Sequence, residues 1–208
     1  MNTSAALDRG IAALGVGLAD SAPSRLLQYL TLLAKWNRTY NLTAIREPSR
    51  LVSHHIMDSL AVLPHLQCTS VADVGTGAGL PGIPIAIARP DWRVALLDSN
   101  HKKAAFLRQA GLELRLDNIQ VITERAENWK PTEKFDVVIS RAFSDLTGFV
   151  EAGRHLCNEN GRLVAMKGIY PDEELALLPH GVLVENVVPL DVPGLRAARH
   201  LVLMQTSN

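Results

Sequence analysis

The stretch VADVGTGAGLPGIPIAI, residues 71–87, constrains this chain more than any other, because four glycines and two prolines stand between two apolar runs. Upstream of it the apolar spacing is helical. Leu26, Leu27, Leu30, Leu33 and Ala34 recur at three and four residues behind Pro23, which sits where a first helical turn tolerates proline. A second helical pattern runs through SRLVSHHIMDSLAVL, residues 49–63. From residue 71 the period shortens to β-rich runs: VADV, RVALL at 93–97, IQVI at 119–122, FDVVIS at 135–140, RLVAM at 162–166, GVLVENVVPL at 181–190 and RHLVLMQ at 199–205. Segments such as KKAAFLRQAGLEL and DLTGFVEAGRHL separate them, which predicts right-handed βαβ units and a parallel sheet covered on both faces. The last two runs are joined by PGLRAA, with no room for a crossover helix, and predict an antiparallel hairpin at the sheet edge. The expectation is a doubly wound α/β domain of seven mostly parallel strands at residues 68–208, preceded by a helical extension at 1–67.

In such a sheet the ligand lies outside the carboxyl ends of the strands, and the first strand-to-helix turn lies there too. Gly75, Gly77 and Gly79 follow VADV directly and allow close approach of ligand and backbone. The pattern is Asp-x-Gly-x-Gly-x-Gly, whereas the dinucleotide fingerprint has its third glycine one place later, where this chain has Leu80. A pyrophosphate needs N–H donors at the helix start, and Pro81 and Pro84 supply none. The loop therefore suits a nucleoside without a phosphate chain. Asp98, at the end of the second strand, is placed to accept from ribose hydroxyls, and Asp73 to face a cationic or amine group.

The rest of the composition narrows the class. The 208 residues are 47% hydrophobic and carry 21 acidic against 21 basic groups, enough for a real core and with no net charge to favour a partner. The opening residues, broken by three glycines and with Arg9 as their cation, do not read as a leader, and no run of about 20 apolar residues occurs. A cytoplasmic protein without a membrane partner is expected. Cys68 and Cys157 lack metal or disulfide spacing and read as reduced thiols. His54 and His55 point to different helix sides with no third ligand at useful spacing, so no metal is expected.

Taken together, DVGTGAGLPGIP, LLDSNHKKAAFL at 96–107, ERAE at 124–127, FDVVISRAF at 135–143 and GRLVAMKG at 161–168 resemble one family of class I S-adenosylmethionine methyltransferases. That family is RsmG, also called GidB. KWNRTYNLTAI at 35–45, HHIMDSL at 54–60 and the tail RHLVLM extend the resemblance over nearly the whole chain. It implies the Rossmann-like class I methyltransferase fold, S-adenosylmethionine as cofactor, and methyl transfer to N7 of one guanosine in 16S ribosomal RNA, free or in the small ribosomal subunit. Carried over by residue, it implies that Gly75 and Leu80 contact the cofactor from the first loop, with Gly77 and Asp73 in the same turn and Asp98 on the ribose. Ala126 and Glu127 would hold the adenine, and Arg141 would contact cofactor or substrate.

Lys167, on the same rim, and Arg199, in the tail motif, are read as substrate contacts, although alanines stand before Arg199 where the family has a glycine and an acid. N7 carries a lone pair and no proton, so no general base is expected, and Arg141 acts by positioning. For Arg141 an ion pair with Asp145 is the competing reading. Lys35, Arg38, Arg46 and Arg50, interleaved with Trp36 and Tyr40, suit either an RNA-binding front end or a solvated face around a core tryptophan. A small-molecule methyltransferase and an NAD-dependent oxidoreductase are the rival functions.

Overall fold

A computed structural model describes residues 2–141 and 143–206, apart from the side chains of Pro48 and Ser49; Ala142 of the FDVVISRAF motif lies outside the described residues. The front end is helical, as its spacing predicts. Helix α1 spans Thr3–Leu14, capped by the Asn2 side chain, and α2 spans Ala22–Tyr40 with proline in its first turn. The second pattern does not form one regular helix. It starts as α3, Pro48–Leu51, widens into a π-helical turn at Val52–Met57, and closes as α4, Asp58–Leu60. Gly10 explains how α1 docks there, since a β-carbon at that position would strike the Met57 side chain.

Seven strands follow: β1 Ser70–Val74, β2 Arg93–Leu97, β3 Ile119–Ile122, β4 Phe135–Ser140, β5 Cys157–Lys167, β6 Val182–Pro189 and β7 His200–Thr206. Their order in one sheet is β3-β2-β1-β4-β5-β7-β6. Strands β1 to β5 pair in parallel, and β7 runs antiparallel between β5 and β6. Helices α5 (Gly82–Ala88), α6 (His101–Leu114) and α7 (Leu146–Gly153) link the parallel strands, and the short α8 (Asp172–Ala176) precedes β6. Strand order reverses between β1 and β4, the place where such sheets open a ligand crevice.

Alternation along the strands divides the core. Val71, Val94, Leu96, Val137 and Ile139 face one layer; Ala72, Val74, Ala95, Leu97 and Val138 face the other. The first layer holds Ile83 and Phe106 of α5 and α6 together with Leu26, Tyr29 and Leu33 of α2 and Leu7 of α1, so the helical extension and the sheet share one apolar cluster. The second is built on Phe135, Phe149 and Val150. Trp36 is half-buried: it packs edge-on against the core residue Phe106, with ring centroids 5.7 Å apart, and also meets the exposed Tyr40 at 5.2 Å. Cys157 is buried and Cys68 half-buried; neither is in a disulfide, and burial pushes both thiols up to about 12. Among the described residues no helix is long and apolar enough to cross a membrane.

Candidate active site at the carboxyl rim of the sheet

The glycine loop is held by four polar side chains, Asp73, Thr76, Asp98 and Tyr29, two of which, Thr76 and Tyr29, the sequence did not single out. Asp73 ends the buried strand β1, and its Oδ2 accepts from the Thr76 hydroxyl at 2.5 Å and from the Gly82 amide at 2.8 Å. Thr76 is the hub: its amide donates to the Leu97 carbonyl, and its own carbonyl accepts from the Gly79 and Leu80 amides. Gly75, Gly77 and Gly79 all have positive φ, near +70°, +60° and +87°. At Gly79 space is closed as well, because a β-carbon would meet Ile83 and Leu107. Leu80 is buried beneath the loop.

The helix that follows offers no seat for a pyrophosphate. In its first turn the Gly82 amide is taken by Asp73, Ile83 donates to the Gly79 carbonyl, Pro84 has no N–H, and Ile85 donates to the Pro81 carbonyl. The donors a phosphate chain would need are consumed inside the protein. One acceptor is left over: Asp73 Oδ1 is buried without a hydrogen-bond partner. Burial raises the Asp73 carboxyl to about 6, against the lowering effect of its bonds to Thr76 and Gly82. A carboxylate with one oxygen satisfied and the other bare favours a cationic hydrogen-bond donor in front of it.

Asp98, buried at the end of β2, fixes the other side of the crevice. Its Oδ2 accepts from the Gly77 amide at 3.0 Å and from Lys103 Nζ at 3.3 Å, and its Oδ1 from the Asn100 amide at 2.9 Å. Ala126 and Glu127 lie in the 3-10 turn Ala126–Asn128 beyond β3, Ala126 packed into the core and Glu127 exposed. These residues, with Asp73 and the glycines, line up along the ends of β1, β2 and β3 as the sequence predicts.

The site continues past β4 into a cleft of about 410 Å³ lined by Thr43, His55, Asp58, Arg141, Lys167 and Arg199, among others. Arg141 stands at the junction. Its guanidinium donates to Asp58 Oδ2 at 3.1 Å and to the His54 carbonyl at 3.2 Å. Its charge also reaches Asp73 and Tyr29 on the glycine-loop side and His55 on the cleft side. Asp145 is not its partner; that residue caps α7 through the Gly148 amide. Arg199 Nε donates to the other oxygen of Asp58 at 2.8 Å. Lys167 also lines the cleft but forms an ion pair with Glu174 at 2.7 Å. His55 donates or accepts at Thr43 Oγ1 through Nε2, and burial first, then Arg141, lowers it to about 4, which keeps it neutral at pH 7. His54 also lines the cleft, its ring hydrogen-bonded to Ser53 and Arg50.

Sequence reasoning brings Asp73, Gly75, Gly77, Leu80, Asp98, Ala126, Glu127, Arg141, Lys167 and Arg199 to one rim, and the structure assembles all of them there. It adds Thr76, Tyr29, Asp58, Thr43 and His55. Tyr29 donates from α2 to the Ala78 carbonyl at 2.8 Å, so the helical extension buttresses the glycine loop. Burial drives its phenol far above the ordinary range, keeping it a donor at any working pH. Asp58 lies within the HHIMDSL motif, which was the available signal for it.

Comparison with known proteins adds the following. The family model described as rRNA small subunit methyltransferase G matches residues 23–202. A protein named ribosomal RNA small subunit methyltransferase G from Nitrosospira multiformis is 56% identical, covering 99% of this chain and 98% of its own. One of the same name from Chromobacterium violaceum is 58% identical over 96% of each chain. Among solved structures, a SAM-dependent methyltransferase from Aquifex aeolicus superposes with a TM-score of 0.59 at 20% identity, covering 83% of this chain and 97% of that one. The glycopeptide N-methyltransferase MtfA in complex with S-adenosylmethionine gives 0.64 at 13% identity, covering 74% and 88%. At such identities the superpositions establish the fold, the class I methyltransferase arrangement.

Proposed function

The chain belongs to the rRNA small subunit methyltransferase G family, and from that premise we propose that it transfers a methyl group from S-adenosylmethionine to N7 of a guanosine in small-subunit 16S ribosomal RNA. The observation that carries the cofactor half is the pairing of a bare buried Asp73 Oδ1 with a helix start whose amides are all spent. A helix start with its amides spent and a bare buried carboxylate oxygen beside it favour a cationic nucleoside over a dinucleotide. This disfavours the oxidoreductase reading.

S-adenosylmethionine supplies a methyl group activated on a sulfonium. What the protein contributes is placement. Asp98 would accept from the ribose, exchanging the Lys103 ammonium for a hydroxyl, while Gly75, Gly77 and Leu80 lie along the donor; Asp73, fully buried, would hold the loop through Thr76 and Gly82 and draw the donor's cationic end by its charge rather than by direct contact. Ala126 and Glu127 would bracket the adenine. Because N7 has a free lone pair, no residue needs to remove a proton. Holding two reactants in line can itself supply about 7 to 11 kcal/mol.

N7 lies on the edge that faces the deep, narrow groove of A-form RNA, so the base must leave the helix to react. The cleft beside Arg141 is where we place it, with Arg141 bridging cofactor and substrate and with Arg199 and Lys167 toward phosphate. Lys167 would exchange Glu174 for that ligand. The segment 1–67 is then part of the substrate side, since Thr43, His55 and Asp58 come from it.

The test is transfer of labelled methyl to small-subunit RNA from cells lacking this protein, followed by chemical cleavage at 7-methylguanosine. Incorporation with cleavage at one site is expected. Label in RNA without cleavage would remove the N7 assignment, and label only in free metabolites would replace the RNA with a small-molecule substrate.

A further inference from the structure

We infer that Asp58 is a positioning residue which sets Arg141 and Arg199 as a rigid pair to receive one phosphate of the RNA strand carrying the target base. The inference rests on the reading of an RNA substrate and adds how that substrate is gripped. Asp58 is 1% exposed, whereas the Arg141 and Arg199 side chains are 27% and 23% exposed, so RNA can reach the guanidinium groups and not the carboxylate between them. Each oxygen of Asp58 holds a different arginine, Oδ2 taking Arg141 and Oδ1 taking Arg199.

The His54 and Ala198 carbonyls each take one further N–H. A guanidinium has five donors in a planar fork, more than these bonds use, and two forks fixed side by side match the oxygens of a phosphodiester. One carboxylate against two guanidinium groups leaves a single net positive charge, enough to attract a phosphate and too small to hold RNA without regard to shape.

Three distant parts of the chain converge on this carboxylate. Asp58 begins α4 just after the π-helical turn, Arg141 follows β4, and Arg199 precedes β7, its two partners standing 83 and 141 positions further along the chain. Arg141 also neighbours the cofactor loop through its field at Asp73 and Tyr29. A shift of Asp58 therefore moves the substrate relative to the methyl donor. A misplacement of about 1 Å can cost on the order of 100-fold in rate.

The experiment compares the full-length protein with Asp58→Asn, which keeps the shape and removes the charge. Single-turnover methyl transfer to small-subunit RNA, at saturating cofactor and RNA, is expected to fall about 100-fold. Cofactor affinity by calorimetry should stay within about twofold, since the crevice is untouched. RNA affinity should hold or rise, because the cleft gains a positive charge, and its salt slope should not shrink.

A merely structural Asp58 would lower all of these together, and that pattern, or a rate within about threefold of the parent, overturns the inference. Should Asp58→Asn not fold, the triple variant with Arg141→Ala and Arg199→Ala decides. With no arginines to position, adding Asp58→Asn to the double variant should leave its residual rate unchanged and raise its melting temperature. A further loss of rate would overturn the proposal. If the parent protein itself transfers no methyl to RNA, the proposed function falls first, and the two failures are distinguishable.

Discussion

Two carboxylates at neighbouring strand ends do opposite things, and the difference lies in their partners. Asp98 is surrounded by donors, and Asp73 has one oxygen facing none. Replacing Asp98 with alanine should weaken S-adenosylmethionine by about 1.5 to 3 kcal/mol, measured by calorimetry; unchanged affinity would mean the ribose is held elsewhere. Asp73→Asn makes a stranger prediction. The folded state raises this carboxyl to about 6, so it binds the proton more tightly than the unfolded chain does. Stability from that proton is complete below about pH 4 and is lost as pH rises through 6. Asparagine never ionises, and its oxygen can still accept from Thr76 and Gly82. Without ligand, Asp73→Asn should gain on the order of 2 kcal/mol over the parent between pH 4 and 7, read from urea unfolding, while cofactor binding weakens because an uncharged amide replaces the carboxylate. A difference that does not vary with pH would show that Asp73 is already protonated, or not strained, in the folded protein.

The elements were legible where local chemistry governs them. Strands β2, β3 and β4 begin and end where the runs RVALL, IQVI and FDVVIS do, because each run is short, largely apolar and closed by a polar residue, Asp98, Thr123 and Arg141. The hairpin of β6 and β7 followed from a connection too short for a helix. Strand β5 begins five residues before its apolar run, since Cys157 pairs with Phe135 across a bulge that no side-chain pattern announces. The π-helical turn at Val52–Met57 is equally silent, for the same apolar spacing suits an ordinary helix. Likewise nothing near Arg141 in sequence pointed to Asp58, a tertiary partner 83 residues away.

The contact of α2 with the glycine loop belongs at this scale. Tyr29→Phe leaves the Ala78 carbonyl buried without its donor, and should cost about 1 to 3 kcal/mol in stability while speeding amide exchange at Gly79 and Leu80. Exchange at parental rates would reduce Tyr29 to packing.

For the molecule as a whole, the glycine loop and its acids pointed to one rim of the sheet, while the long motifs identified the family. The front end is less separable than a boundary at residue 67 suggests. Leu26, Tyr29 and Leu33 are buried in the same cluster as Leu80, Ile83 and Phe106. Deleting residues 1–40 should therefore abolish cooperative melting and cofactor binding together, followed by circular dichroism and calorimetry. A fragment that still melts sharply and binds would show that the sheet stands without its helices.

The position of β7 has a consequence for how the protein comes into being. The last strand of the chain lies between β5 and β6, and Arg199 sits at its threshold. Until β7 has paired, the outer edge of β5 is uncovered and Asp58 has only one of its two cations. A chain in which β7 has not yet paired therefore lacks half of the arginine pair and leaves an open strand edge exposed to mispairing.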